Sequence, residues 1–527
     1  MFNTISSFII NIANGISEKC PWLGKKINKI AINSAVNFSR YRPHPWSTVH
    51  DYVSWTSLTD KHWSARHLPA NNELPANQTT PQPALSDVIA LFQRPENKQR
   101  LCLKSTCLFP AFAQYLTDGF IRTRMPNTEA EKNDPNTRKQ NTSNHDIDLS
   151  PLYGRTVEQT LALRLQSPQQ GEKGKLKSQL IDGEVYAAFL YANDAVKKEF
   201  EKLDAPLRID KTTPEMRAKI FAFGGDRANA SPQIAMMNTL FLREHNRLAS
   251  AIEQDNPTWD DQRVFETTRN TNIVLFIKVV VEEYINHISS TYNKFIADPS
   301  VAWNAPWNKP NWITTEFSLL YRWHPLIPDE MSWGGQSYPV HLTIMNNAPL
   351  LDTGLKQSFI DMSAQAAGQI GAFNTAKPLL GFEEDAIKQG RLCRLASYND
   401  YRQYVSLPRL NFFSDISKND DVVNLLKKAY ETVDDIEFYV GLFTEDTEDN
   451  GILPPVISRM VAVDAFSQAF TNPLLSKHVF NEETFSTKGW EAISQTKNLR
   501  NIVNRNVTEK LKDDDFIGMT RQGWQPT

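Results

Sequence analysis

Cysteine is scarce in this sequence. Cys20, Cys102, Cys107 and Cys393 are the only four in 527 residues, and none falls in a C-x-x-C pair. That spacing argues against a disulfide framework or a thiolate metal site, and it points to a reducing, cytoplasmic setting. An excess of one charge is also missing. Lys and Arg total 57 against 60 Asp and Glu, a net charge of -3, so nothing offers the basic surface that nucleic acid requires. No apolar run is long enough to cross a bilayer. Residues 1–16 lack a cationic start and are broken by Asn3, Asn11 and Asn14, which argues against a secretory signal. Long linkers, low-complexity blocks and internal repeats are absent as well. Length alone would allow several domains, but nothing divides the chain into them.

What is present is apolar and helical. Hydrophobic residues make up 40% of the chain and aromatics 10%, enough for a large buried core. Most of 86–123, then 158–165, 236–254, 265–295, 355–371, 382–389, 418–433 and 455–470 read as helices, because apolar positions recur on one face. Strand signals are few and short, the clearest at 338–343. Residues 40–85 read as a turn-rich arm, and 124–143, polar with Pro126 and Pro135, as an exposed loop. The expected fold is mainly α: a single large helical domain with few short strands. Residues 1–45 stand apart. Phe2, Ile5, Phe8, Ile9, Ile12 and Ile16 repeat at helical spacing, and Leu23, Ile27, Ile30 and Ile32 are interleaved with Lys25, Lys26 and Lys29. Such amphipathic helices either pack on the main body, residues 46–527, or lie at a membrane surface as a peripheral contact.

The stretch EFSLLYRWHPLIPD (316–329) carries the chemistry. Its first eight residues read as a helix that ends at His324, since the residue before a proline is pushed out of the α region. Tyr321 lies one helical turn back on a similar face. An imidazole beside a phenol in an apolar setting suits an axial haem ligand with an oxidisable side chain nearby, although a histidine among aromatics is more often a core residue. YRWHPLIPD resembles the proximal segment of the animal-type haem peroxidase superfamily, and most resembles its cyclooxygenase branch. FAQYLTDGF (112–120), DIDLSPLYG (146–154), GGDRANASPQ (224–233), LREHNRLA (242–249) and SYNDYR (397–402) resemble the same family in the same order, joined by DIEFYVGLFTE (435–445). The similarity spans roughly residues 50 to 480, and ordered segments are more specific than any single motif.

The resemblance implies roles residue by residue. His324 would be the axial ligand of the haem iron, Asn399 the residue orienting it, and Arg322 and Trp323 packing or propionate contacts. Gln114 matches a glutamine on the open side of the haem. Four residues later the family places its distal histidine, and here that position is Asp118; no histidine occurs between His67 and His145. A carboxylate performs the same proton transfers when its pKa suits the site, as an aspartate with an arginine does in the unrelated dye-decolorising peroxidases. Arg227 falls where the peroxidase branch has its catalytic arginine. Tyr321 matches the tyrosine that ferryl haem oxidises in the cyclooxygenase and fatty-acid dioxygenase branches. Asp148 and Ser150, with Asn144 and Asp146 nearby, match part of a calcium loop, although Gly119 stands where a further aspartate is expected. Thr117 and Ala230 replace the two carboxylates that form haem esters in mammalian peroxidases, which implies noncovalent haem b. His67, His145 and His245 read as structural, the last within a buried polar network with Arg243 and Glu244. Ser467 lies near the fatty-acid channel segment without a role that transfers. Together these imply a haem-dependent oxidoreductase using peroxide or O2, of peroxidase or fatty-acid dioxygenase type. The rival reading is a haem-binding protein in which Asp118 has replaced the distal histidine and turnover is lost.

Overall fold

Proline and small polar residues punctuate the helices that frame the site. The computed structural model describes residues 20–39, 45–71, 82–126, 128–289, 294–447 and 451–524. Helix α1 (Pro21–Ser39) comes first. Strand β1 (Leu101–Thr106) leads directly into α2 (Leu108–Phe120), which is buried along nearly its whole length. Helix α3 (Pro232–Asp255) starts with proline at its first position, where the missing N–H costs nothing. Every residue from 232 to 245 is buried, so α3 runs through the centre of the domain rather than over its surface. Helix α4 (Asp261–Val279), capped by Asp260, packs along it.

The apolar run 265–295 does not form one continuous α-helix. After α4 the chain widens into a π turn, Val280–Ile285, before a last short helix, Asn286–Ile288. Such wide turns often occur at functional sites, and this one presents Tyr284 to the residues described below. Helix α5 (Thr315–Leu320) follows. Strand β2 (Ala366–Gly368) pairs antiparallel with β1; helix was expected through residue 371, but the helix there stops at Ala364 and pairing takes over. Helices α6 (Leu380–Leu392), α7 (Tyr398–Tyr404), α8 (Phe438–Thr444) and α9 (Pro455–Phe470) complete the frame.

The architecture is mainly α, and every sheet among the described residues has two strands. Two local expectations change. The strand expected at 338–343 ends at Pro339 and turns into the helix Val340–Thr343. The segment 124–143 holds a short helix, Glu129–Asn133, and a 3-10 turn, Pro135–Lys139. In the N-terminal region, α1 packs against α9. Ile32 and Val36 are buried, and Asn28 exchanges hydrogen bonds with Ile296, at 3.0 Å from its amide and 2.9 Å to its oxygen. Trp22 and Ile30 remain exposed on the same helix. The helix expected within residues 1–16 lies outside the described residues. No described helix is long and apolar enough to cross a membrane.

Candidate active site

His324 is held by its neighbours in sequence and by two distant elements. Thr314 caps α5, accepting from Phe317 N at 3.0 Å. The helix ends at Leu320, three residues short of the expected end: Tyr321 has φ -97°, ψ 18° and Trp323 φ -87°, ψ 46°. His324 then opens a short 3-10 turn with Pro325 and Leu326. The turn is pinned from outside. The buried Arg94 guanidinium donates to Ile327 O (3.0 Å), Asp329 Oδ1 (2.6 Å) and Asn374 O (2.6 Å). Behind it, β2 comes so close that a Cβ added to Gly368 would lie 2.1 Å from the Pro325 carbonyl oxygen. Gly368→Ala is therefore expected to destabilise the protein by about 1–3 kcal/mol, the usual cost of forcing an atom into a packed interior. A lowered urea midpoint with an unchanged slope would show it.

The imidazole of His324 is enclosed on two sides. Phe382 stacks on its face, with ring centroids 5.2 Å apart and planes at 22°. Nδ1 is fully buried and lies 3.1 Å from Glu383 Oε1, near enough for a charge contact but out of line for a good hydrogen bond. The opposite edge supplies the ring's remaining exposure, and it faces a cavity of about 260 Å³, more than ten times what one ordered water needs.

The same cavity is lined by Gln114, Asp118 and Arg227. Gln114 and Asp118 share a face of α2, and Gln114 Nε2 donates to Asp118 Oδ2 at 3.5 Å. Arg227 Nη1 lies 3.6 Å from Asp118 Oδ1 and donates to Ile121 O at 3.1 Å. Burial pushes the Asp118 carboxyl up to about 6, against the pull of Arg227 and with some help from Asp226. A carboxyl so placed changes protonation state near neutral pH.

Charge and unpaired polar atoms describe what the cavity suits. Among the described residues, Asp118 is the only carboxylate lining the cavity, against three guanidiniums: Arg208, Arg227 and Arg322. The Arg322 guanidinium makes no hydrogen bond or ion pair among the described residues, and burial, then the neighbouring Arg227, lowers its pKa. Gln233 Oε1, Ser318 Oγ and Trp323 Nε1 are buried without partners on the same lining. Buried polar groups seldom stay unpaired, and an excess of cationic lining favours an anionic ligand. Tyr321 also borders the cavity. Its ring stacks on Trp323 at 4.8 Å and meets Phe317 edge-on at 4.9 Å. Burial raises its phenol pKa, and its hydroxyl interacts with that of Tyr284 on the π turn.

Comparison with known proteins accounts for this arrangement. The family model described as animal haem peroxidase matches residues 110–515. The chain belongs to the animal haem peroxidase family. Prostaglandin G/H synthase 1 of Rattus norvegicus is 31% identical over 470 residues, covering 88% of this chain and 73% of the relative. Prostaglandin G/H synthase 2 of Gallus gallus is 29% identical over 478 residues, covering 88% and 74%. In fold, the chain resembles the fatty acid alpha-dioxygenase of Oryza sativa (TM-score 0.69, 16% identity, 96% and 94% covered). It also resembles Peroxidase A of Dictyostelium discoideum (TM-score 0.67, 18% identity, 91% and 100% covered). As an animal haem peroxidase, the chain is a haem-dependent oxidoreductase.

The cavity's residues fit a haem. His324 borders it with Nδ1 turned away to Glu383, and the unpaired Arg322 guanidinium, with Arg208 on the same lining, suits a porphyrin carboxylate. Thus His324, Gln114, Asp118, Arg227, Tyr321 and Trp323 line one cavity in this animal haem peroxidase.

Other expected residues are placed differently. Asn399 does not reach His324: its amide donates to Leu410 O (2.9 Å) and Asp434 Oδ1 (2.7 Å) and accepts from Leu410 N (2.8 Å). Those bonds tie α7 to the loop after it, and the side chain next to Nδ1 is Glu383. Asp148 and Ser150, expected in a calcium loop, sit together in a hydrogen-bonded turn. Asp148 Oδ1 accepts from Ser150 N and Oδ2 from Asn144 Nδ2, both at 2.8 Å, while Asp146 accepts from Asn311 at 2.8 Å. No group of three acidic, His or Cys side chains that could hold a metal ion exists among the described residues. His245 sits between Tyr153 Oη (2.8 Å) and Gly174 O (2.7 Å), and Glu244 is surrounded by Arg247, Arg505 and Asn506, a buried network as expected. His145 Nε2 lies 2.7 Å from Lys61 O, and His67 Nε2 lies 3.0 Å from Asp464. Ser467 Oγ is turned back to Val463 O at 2.6 Å.

Proposed function

We propose that the protein is a fatty-acid dioxygenase with a peroxide-activating site, in which noncovalent haem b would be held by His324 in the cavity that Asp118 also lines. The observation that carries this reading is the single cavity bordered by His324, Asp118, Arg227 and Tyr321. Thr117 and Ala230 line it without a carboxylate for an ester link, so coordination and ion pairing hold the cofactor. Bound haem supplies the oxidising power. Asp118 takes the first proton from peroxide and returns it to the departing oxygen, while Arg227 stabilises the negative charge that develops there. Gln114 keeps the carboxylate facing the cavity. Tyr321, shielded from water and stacked on Trp323, would lose an electron and a proton to the oxidant that peroxide and bound haem supply and then take a hydrogen atom from an unsaturated fatty acid. O2 adds to the carbon radical, and the resulting peroxyl radical takes a hydrogen atom back from Tyr321, leaving a hydroperoxide.

A second reading, peroxidase turnover with a small reductant, is favoured by Arg227 beside Asp118. Linoleate supplied under O2 separates them. Oxygenated lipid is expected from the wild type and none from Tyr321→Phe, while peroxide consumption persists in both. Absence of oxygenated lipid from the wild type would remove the dioxygenase reading and leave the peroxidase one. A haem protein without turnover is not favoured, because the family and its oxidoreductase relatives are enzymes.

A further inference from the structure

A histidine that binds a metal through Nε2 carries its ring proton on Nδ1, and that N–H then needs an acceptor. In this protein the acceptor within reach is a carboxylate. Glu383 is completely buried in the first turn of α6, with Oε1 3.1 Å from His324 Nδ1. It is held from two other elements: Thr375 Oγ1 donates to Oε1 at 2.8 Å, and Tyr439 Oη on α8 makes a short bond to Oε2. Arg322, in the cavity wall, feels its charge. A buried carboxylate stripped of water is costly unless it is paired and hydrogen-bonded, and here both oxygens accept hydroxyl protons. The hydroxyls fix its position beside the imidazole, with Oε1 3.1 Å from Nδ1.

We propose that Glu383 is the positioning residue for the axial imidazole: its anionic acceptor fixes the ring's tautomer and makes His324 a more electron-rich ligand than a neutral partner would. A stronger acceptor at Nδ1 raises ligand basicity, strengthens the iron–nitrogen bond and favours the ferric state. This inference rests on the haem-ligand role of His324.

The test uses full-length haem-loaded protein, read by the iron–histidine stretching band of the ferrous form and by the ferric/ferrous midpoint potential. Glu383→Gln, which keeps the shape but not the charge, is expected to move the band to lower wavenumber and raise the potential. Glu383→Asp, which keeps the charge but withdraws it from the ring, should fall between. An unchanged band and potential in Glu383→Gln would overturn the proposal. If Glu383→Gln does not fold, Tyr439→Phe carries the test. Losing that competing donor should move the band to higher wavenumber, and no movement would overturn the proposal. A band that survives in His324→Gly would contradict the axial assignment itself, a different failure from an insensitive Glu383.

Discussion

Asp118→Asn is expected to slow the reaction with peroxide by about 10²–10⁴-fold, the range by which a positioned acid–base group accelerates a proton transfer. The amide keeps the size of the carboxylate and the neighbouring Gln114 and Arg227 but cannot accept the first proton. Rapid mixing with peroxide, followed by the Soret change, reads the step directly. The pH dependence gives the sign. Peroxide is activated by the ionised carboxylate, and burial holds the Asp118 pKa at about 6, so the wild-type rate should fall as pH drops through about 6. Asp118→Asn should lose that limb. Arg227→Gln should move it to higher pH, because the guanidinium is the charge that pulls this pKa down. The fold itself is not at risk. A carboxyl whose pKa is raised on folding contributes its stability when protonated and loses it as pH rises through about 6, so at pH 8 Asp118→Asn should unfold no earlier than the wild type.

His324→Gly is expected to remove the Soret band from protein purified with haem supplementation, or to shift it to that of weakly held haem. Added imidazole should restore the band by occupying the space of the lost ring. The case rests on what surrounds that ring: one face covered by Phe382, Nδ1 turned to Glu383, and the other edge open to the cavity. Among the described residues no second histidine lines the cavity, so none of them substitutes for it.

Much of the arrangement was legible because local sequence determines it. The i, i+4 spacing puts Gln114 and Asp118 on one face, and the central helix was read from residue 236, although Pro232 starts it four residues earlier. What escaped was set by packing between distant elements. Residues 366–368 carry small side chains that read as helix, yet strand β1 captures them and brings Gly368 against Pro325. The run 265–295 looks uniform, and nothing in its apolar periodicity marks the π turn at Val280–Ile285. Glu383 hid among Glu383, Glu384 and Asp385, a cluster that reads as a solvated face. A usable signal was there: Glu383 lies three and four residues before Ala386 and Ile387, on the buried stripe of α6. Asn399 went astray for the opposite reason, because a motif match says which residue is present but not what its amide will bond.

The most direct test of the central claim is an anomalous difference map, recorded at the iron edge, from crystals of the haem-loaded protein. One iron peak is predicted within bonding distance of His324 Nε2, with Asp118 and Arg227 across the porphyrin from it. An iron peak away from His324, or a porphyrin with Asp118 on the same side as the axial ligand, would contradict the account.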